Sequence, residues 1–443
     1  MIFASHKNMY ISGTKTRITM NKTKEIWIAG FALFSLFFGA GNLILPPTLG
    51  VKAGVDWWIV VLGFIITGIT IPILAIFTHA KLQGTLYDFG KKVSPAFSTL
   101  FCFLIYSIAI AIPSPRTAAV THEMAIQPFF DTPPILTSIV YFLLVFLFAV
   151  NRARIIGLIG TFLTPIIVLI LLVIIGLSFF VSPGILGASG FENPFIDGIL
   201  EGYQTFDAIA GVVVGAVIII SLDDSNHNTF EAKRTLIRKA GFIAGTGLLF
   251  IYGGLILAGA LYASTFAENA SRTEVLAGLS TQTLGNFGTT FLSVLVALAC
   301  FTTAVGIVTG TADYIKGIFN NSKKAYIITA AIASIIGIIV GSYQVDFIIT
   351  VAVPALMFLY PITIILIVLN TLPDKYASKL VFRGVVLVTF IFSITDFLRF
   401  IIPRENLTGI KSSIPFAEDS LGWVLPALLV FVVLNLIQKK EHP

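Results

Sequence analysis

The chain has 443 residues, of which 56% are hydrophobic and only 11% charged, and its mean hydropathy is +0.96. So much apolar surface exceeds what a water-soluble globule can bury, and the apolar runs are continuous where barrel strands would alternate, so the fold class is all-α and polytopic in a membrane. A net charge of +6 would suggest nucleic acid as the partner of a soluble protein; here the charges matter by their division between loops, no nucleic-acid partner is expected, and no obligatory protein partner is evident beside the lipid bilayer.

Residues 1–25 are polar and mixed and read as a cytoplasmic segment without a cleavable signal. Met20 is as good a translation start as Met1 or Met9, which would make the stretch before it an upstream extension. A bilayer core asks for roughly 20 apolar residues per helix, and about twelve spans of that kind follow. They run over 26–50, 57–78, 96–125, 134–150, 155–181, 202–222, 240–262, 287–311, 325–341, 347–369, 384–402 and 421–437. Of the 28 Lys and Arg, all but Lys52, Arg116, Arg272, Arg399, Arg404 and Lys411 fall on the side of both termini. By the positive-inside rule, both termini are cytoplasmic in a multi-pass inner-membrane protein.

The first span contains Phe38-Gly39-Ala40-Gly41-Asn42 and then Pro46-Pro47. Two glycines and an asparagine at mid-depth let the helix unwind, which is tolerated there only where protein or a wet cavity satisfies the backbone; the alternative is a kinked helix packed closely on a neighbour. In the third span, Pro113, Pro115 and Arg116 interrupt the apolar run. A charge at that depth serves function or closes an ion pair, for which Glu123 and Asp207 are the candidate partners. The sixth span carries the second irregularity, Thr205-Phe206-Asp207-Ala208. Asp207 is open to three roles: neutralising an ammonium group, accepting a proton, or pairing with Arg116. In the eighth span Thr302 and Thr303 follow Ala299 and Cys300. Their hydroxyls either bond back to their own backbone or offer oxygens to a small hard cation.

Breaks in spans 1 and 6 are what two five-helix repeats produce, with residues 26–183 as the first repeat, 184–371 as the second, and 372–443 as two peripheral helices and a cytoplasmic C-terminus. Corresponding broken helices mark a transporter's binding site, because half-helix N-termini attract an anionic group and free carbonyls hold cations. Other classes fit less well. Cys102 and Cys300 lie in apolar runs and read as small hydrophobes, and the five histidines read as solvated or interfacial, without metal spacing. There is no phosphate loop for an ATPase, no repeated filter for a channel, and no catalytic constellation for an enzyme.

The run from Phe34 to Pro47, together with Pro115-Arg116-Thr117-Ala118-Ala119 and Cys300-Phe301-Thr302-Thr303-Ala304, resembles the bacterial branched-chain amino acid:cation symporters. The resemblance extends over essentially the whole chain and implies a LeuT-type fold: a 5+5 inverted repeat plus two peripheral helices. It also implies a site. The backbone of Phe38, Gly39, Ala40 and Gly41 and that of Thr205, Phe206, Asp207 and Ala208 would take the substrate's carboxylate and ammonium groups. The hydroxyls of Thr302 and Thr303 with the carbonyls of Ala299, Ser35 and Phe38 would take Na⁺, while Asn42 matches an asparagine of a second sodium site. Arg116 and Glu123 are read as structural or gating. Leu45 stands where the family more often has phenylalanine, which bears on side-chain preference. The expected activity is Na⁺-driven import of leucine, isoleucine or valine by alternating access, with no cofactor besides the ion. The alternatives are a proton-coupled carrier of another small neutral amino acid, or a channel.

Overall fold

A computed structural model describes residues 22–151, 155–181, 184, 186–213, 215, 230–267, 269–398, 400 and 414–441. The alternative starts, Arg152, Arg154, His6, His227, His442, Arg399, Arg404, Lys411, most of the span expected beyond 213, and the side chains of Ser35 and Ala40 lie outside the described residues. Among those described, every regular element is a helix. Eight helical stretches there are long and apolar enough to cross a membrane, and Pro165–Val181 and Val424–Lys439 are shorter apolar helices.

The first expected span is two helices, α1 (Lys22–Phe37) and α2 (Ala40–Ala53), with Phe38 and Gly39 non-helical between them. The second is α3 (Trp57–Ile65) and α4 (Ile71–Leu82), joined by a π turn over Ile66–Thr70 just before Pro72, whose missing N–H loosens the ladder. A short α5 (Leu86–Gly90) leads to the third, split as expected into α6 (Pro95–Ala111) and α7 (Pro113–Thr121). Next come α8 (Pro134–Asn151), α9 (Ile155–Val181) and α10 (Pro194–Tyr203), then α11 over residues 207–213. The rest are α12 (Phe230–Leu261), α13 (Arg272–Ile318), α14 (Lys323–Gly341), α15 (Val345–Thr371), α16 (Lys379–Leu398) and α17 (Val424–Glu441).

Two helices run well beyond the expected spans. Helix α12 starts ahead of residue 240, and α13 starts at Arg272 instead of 287, because a capping box opens it: the Glu274 amide donates to Ser271 Oγ at 3.2 Å and the Ser271 amide to the Glu274 carboxylate at 2.8 Å. It kinks at Gly285, whose φ of +71° suits only glycine.

The broken helices sit at the centre. Helix α2 packs against α12 and α13. A Cβ on Gly50 would collide with the Ile256 carbonyl and one on Gly259 with that of Pro47, so only glycine lets α2 and α12 approach backbone to backbone. Helices α8, α16 and α17 turn Leu143, Leu147, Leu387, Leu428 and Leu429 outward, as lipid-facing surfaces do. At the periphery α16 packs on α15, and α17 packs on α16. Both cysteines are buried and unpaired. His79 and His122 are buried too, against the expectation of interfacial histidines. His79 Nε2 lies 2.8 Å from the Val212 carbonyl and Nδ1 3.1 Å from that of Gly84, so it stitches α4 to α11.

At the far end of α4, Lys81 Nζ donates to the carbonyls of Asn370 and Leu372 at 2.9 and 2.5 Å, closing the C-terminus of α15. Lys92 meets Asp374 at 2.8 Å. Lys81→Met is expected to cost about 1 kcal/mol in a thermal-shift assay on the purified protein. Asp374→Asn is expected to cost less, because that carboxylate is 76% exposed. The hydrogen bond and charge of Lys92, with the charge of Lys81, hold the Asp374 carboxyl below its ordinary range. Its small contribution is therefore present at neutral pH and lost in acid, as pH falls through that lowered value.

Candidate functional site

At the first break the helical ladder ends with the Phe38 amide on the Phe34 carbonyl at 3.0 Å, and α2 restarts with the Asn42 amide on the Gly39 carbonyl at 3.1 Å. Gly39 is extended (φ −100°, ψ 178°). The opening amides of α2, those of Ala40 and Gly41, therefore lie at the positive end of the helix without intrahelical partners. Asn42 is 1% exposed. Its Nδ2 faces both oxygens of Asp207 at 2.8 Å, the Tyr252 hydroxyl at 2.6 Å and the Phe37 carbonyl, sharing two hydrogens among these acceptors.

The second break is built differently. Helix α10 ends at Tyr203, and the amides of Gln204 and Phe206 fall back on the carbonyls of Glu201 and Tyr203 at 3.0 and 3.1 Å. Phe206 then takes φ +62°, a left-handed conformation costly for an aromatic residue and typical of functional backbone. Thr205 caps the restart: its Oγ1 accepts the Asp207 amide at 3.2 Å and donates to the Gly202 carbonyl at 2.9 Å. The Ala208 amide donates to the Tyr360 hydroxyl at 3.2 Å, and Tyr360 stacks on Tyr203 with centroids 4.4 Å apart. The Asn42–Asp207 contact thus ties the two breaks together, with Tyr252 of α12 donating to the same carboxylate at 3.4 Å.

The ion pair expected between Arg116 and Glu123 or Asp207 does not form. Arg116 Nη1 donates to the Gln204 carbonyl at 2.9 Å, and the guanidinium lies 5.2 Å from the Phe206 ring centroid. Asp207 is held by Asn42 and Tyr252 instead. Glu123 belongs to another layer, accepting from Thr273 Oγ1 at 2.5 Å and from the Val345 amide at 2.8 Å. In that layer Arg272 reaches Asp346 at 2.5 Å, Gln204 Oε1 at 3.2 Å and Glu201 at 3.7 Å, so the starts of α13 and α15 are fastened to the end of α10. Sequence reasoning left Arg272 in a loop. The capping box Ser271-x-x-Glu274 was the signal that puts it on a helix.

In the eighth span, Thr302 Oγ1 and Thr303 Oγ1 both donate to the Ala299 carbonyl at 2.9 Å. Thr303 also lies beside the first break: a Cβ on Gly39 would stand 3.7 Å from its Oγ1. Each hydroxyl keeps lone pairs, so the oxygens gathered here suit a small hard cation and not a soft metal. Among the described residues no cluster of His, Cys, Asp and Glu could hold a metal ion.

The family described as branched-chain amino acid transport protein matches residues 22–441. The chain belongs to that family. It is 30% identical over 424 residues to the branched-chain amino acid transport system 2 carrier protein of Pseudomonas aeruginosa, covering 94% of this chain and 96% of that one. The inward-facing conformation of Mhp1 superposes with a TM-score of 0.60 at 12% identity, over 94% of this chain and 91% of that one. MhsT in complex with L-phenylalanine superposes with a TM-score of 0.58 at 15% identity, over 92% and 97%. The carrier therefore has the LeuT-type fold, with its interrupted first helix as α1 and α2 and its second break between α10 and α11. It is a multi-pass membrane transporter and not an enzyme.

Proposed function

We propose that this carrier imports leucine, isoleucine or valine across the inner membrane by symport with Na⁺, through about twelve crossings with both termini cytoplasmic. The observation that carries the reading is the meeting of two broken helices at one place, bridged by Asn42 and Asp207 at 2.8 Å. A zwitterion in a low dielectric needs both charges matched. The backbone of Phe38 to Gly41 takes the carboxylate, and Thr205 to Ala208, with the Asp207 carboxylate, face the ammonium group. The aliphatic side chain adds about 25 cal/mol per Å² of buried apolar area. Na⁺ sits on the carbonyls of Ala299, Ser35 and Phe38 and the hydroxyls of Thr302 and Thr303, where it holds the first break against the eighth span. Spans 1, 2, 6 and 7 then rock against 3, 4, 8 and 9, and the Arg272 layer opens and closes one end of the path.

A second reading has its own observation. The side chains bonded to the Asp207 carboxylate, Asn42 and Tyr252, are both neutral, and an intramembrane carboxylate so placed is a candidate proton carrier. Uptake of radiolabelled isoleucine into proteoliposomes separates the two. An inward Na⁺ gradient is expected to drive accumulation at equal pH on both sides. Accumulation driven only by a pH gradient moves coupling to Asp207, and no uptake of any aliphatic amino acid sinks the substrate assignment.

A further inference from the structure

The guanidinium of Arg116 is a strong charge at the site that touches no counter-charge: Asp207 acts on it through space, but no carboxylate bonds to it. The residue is 3% exposed. Among the described residues the single hydrogen bond of its side chain runs from Nη1 to the Gln204 carbonyl, and no carboxylate stands within ion-pair distance. The carboxylates around it are engaged elsewhere: Asp207 with Asn42 and Tyr252, Glu123 with Thr273 and the Val345 amide, Glu201 and Asp346 with Arg272. An unpaired buried cation is expensive to keep, so its charge answers something that comes and goes.

Its position says what. A Cβ built on Gly41 would overlap the Nη2 end of the guanidinium. The bare backbone of Gly41 is what lets that group lie against the first turn of α2. Two positive features, a guanidinium and a helix N-terminus, thus converge on one spot where they repel each other unless an anion joins them. The planar fork of arginine matches a carboxylate with two parallel hydrogen bonds. We propose that Arg116 binds the substrate's α-carboxylate directly, side by side with the opening amides of α2, and so is the residue that makes the carrier select amino acids over amines and alcohols of the same side chain.

The proposal rests on the amino-acid reading of the site, and the test separates the two. Binding of leucine and of leucinol, which keeps the ammonium and isobutyl groups but lacks the carboxylate, is measured on the purified full chain by calorimetry. Wild type is expected to prefer leucine strongly. Arg116→Gln is expected to weaken leucine about 100-fold and to move leucinol by no more than about threefold, so that discrimination collapses; Arg116→Lys keeps the charge without the fork and falls between. An unchanged leucine-to-leucinol ratio in Arg116→Gln overturns the proposal. If that variant elutes as aggregate, Gly41→Ala decides: its Cβ displaces the guanidinium, and the ratio is expected to fall about tenfold, whereas an unaltered ratio overturns the proposal. Wild type that binds leucine and leucinol alike defeats the role of Arg116 while leaving the carrier reading intact. Wild type that binds no aliphatic amino acid defeats the reading beneath it.

Discussion

Asp207→Asn is expected to reduce the initial rate of isoleucine uptake more than 100-fold, with the protein still purifying as a folded carrier. Asp207 is 3% exposed, and its two oxygens receive the Asn42 amide at 2.8 Å. An asparagine there puts an NH₂ group against the NH₂ of Asn42 or turns its lone acceptor away from Tyr252, and either choice leaves a buried donor unmet. Each lost hydrogen bond to a charged partner is worth about 1.5–3 kcal/mol, which at the upper end is already a factor of about 100 in an equilibrium. The contact bridges the two broken helices, so the loss falls on the geometry of the site as well as on its charge. The exchange Asn42→Asp with Asp207→Asn separates the two. It restores an amide facing a carboxylate but moves the negative charge onto α2, so thermal stability is expected to recover while uptake does not. Uptake within threefold of wild type in Asp207→Asn would confine that carboxylate to a structural place.

What could be read from the chain was whatever the backbone announces locally. Gly39 and Asn42, Pro113 and Pro115, and the polar run around Thr205 each disturb a helix within one turn of themselves, so the breaks fall where the residue types put them. Thr303 stands beside the first break, while Thr302 shares with it the Ala299 carbonyl. The partners were not legible. Tyr252 meets Asn42 across 210 residues, Val345 meets Glu123 across 222, and Tyr360 meets Ala208 across 152. None of the three carries a sign in its own neighbourhood, because a tyrosine or a valine in an apolar helix looks the same whether it faces lipid or the site. The same blindness gave Arg116 the wrong partners. Glu123 and Asp207 were both candidates by charge and depth, yet the packing of α13 and α15 on one side and of α2 and α12 on the other occupies both carboxylates first.

Thr303→Val should raise the Na⁺ concentration for half-maximal uptake at least tenfold, with a smaller rise for Thr302→Ala and little change in maximal uptake at saturating Na⁺. Both hydroxyls donate to the Ala299 carbonyl at 2.9 Å, so neither spends a lone pair on that bond, and each remains free to accept a cation. Thr303 is the one turned towards the first break, 3.7 Å from the place of a Cβ on Gly39. Valine keeps its shape and removes only the oxygen, and the Ala299 carbonyl keeps its bond from Thr302, so the fold is spared and the loss is one ligand of the ion. With Na⁺ and substrate on opposite faces of the same unwound segment, as proposed, the coupling is reciprocal: leucine affinity in Thr303→Val is expected to fall at low Na⁺ and to approach the wild-type value at high Na⁺. A carrier that runs on protons gives the opposite pattern, with pH-driven uptake indifferent to both threonines and lost with Asp207.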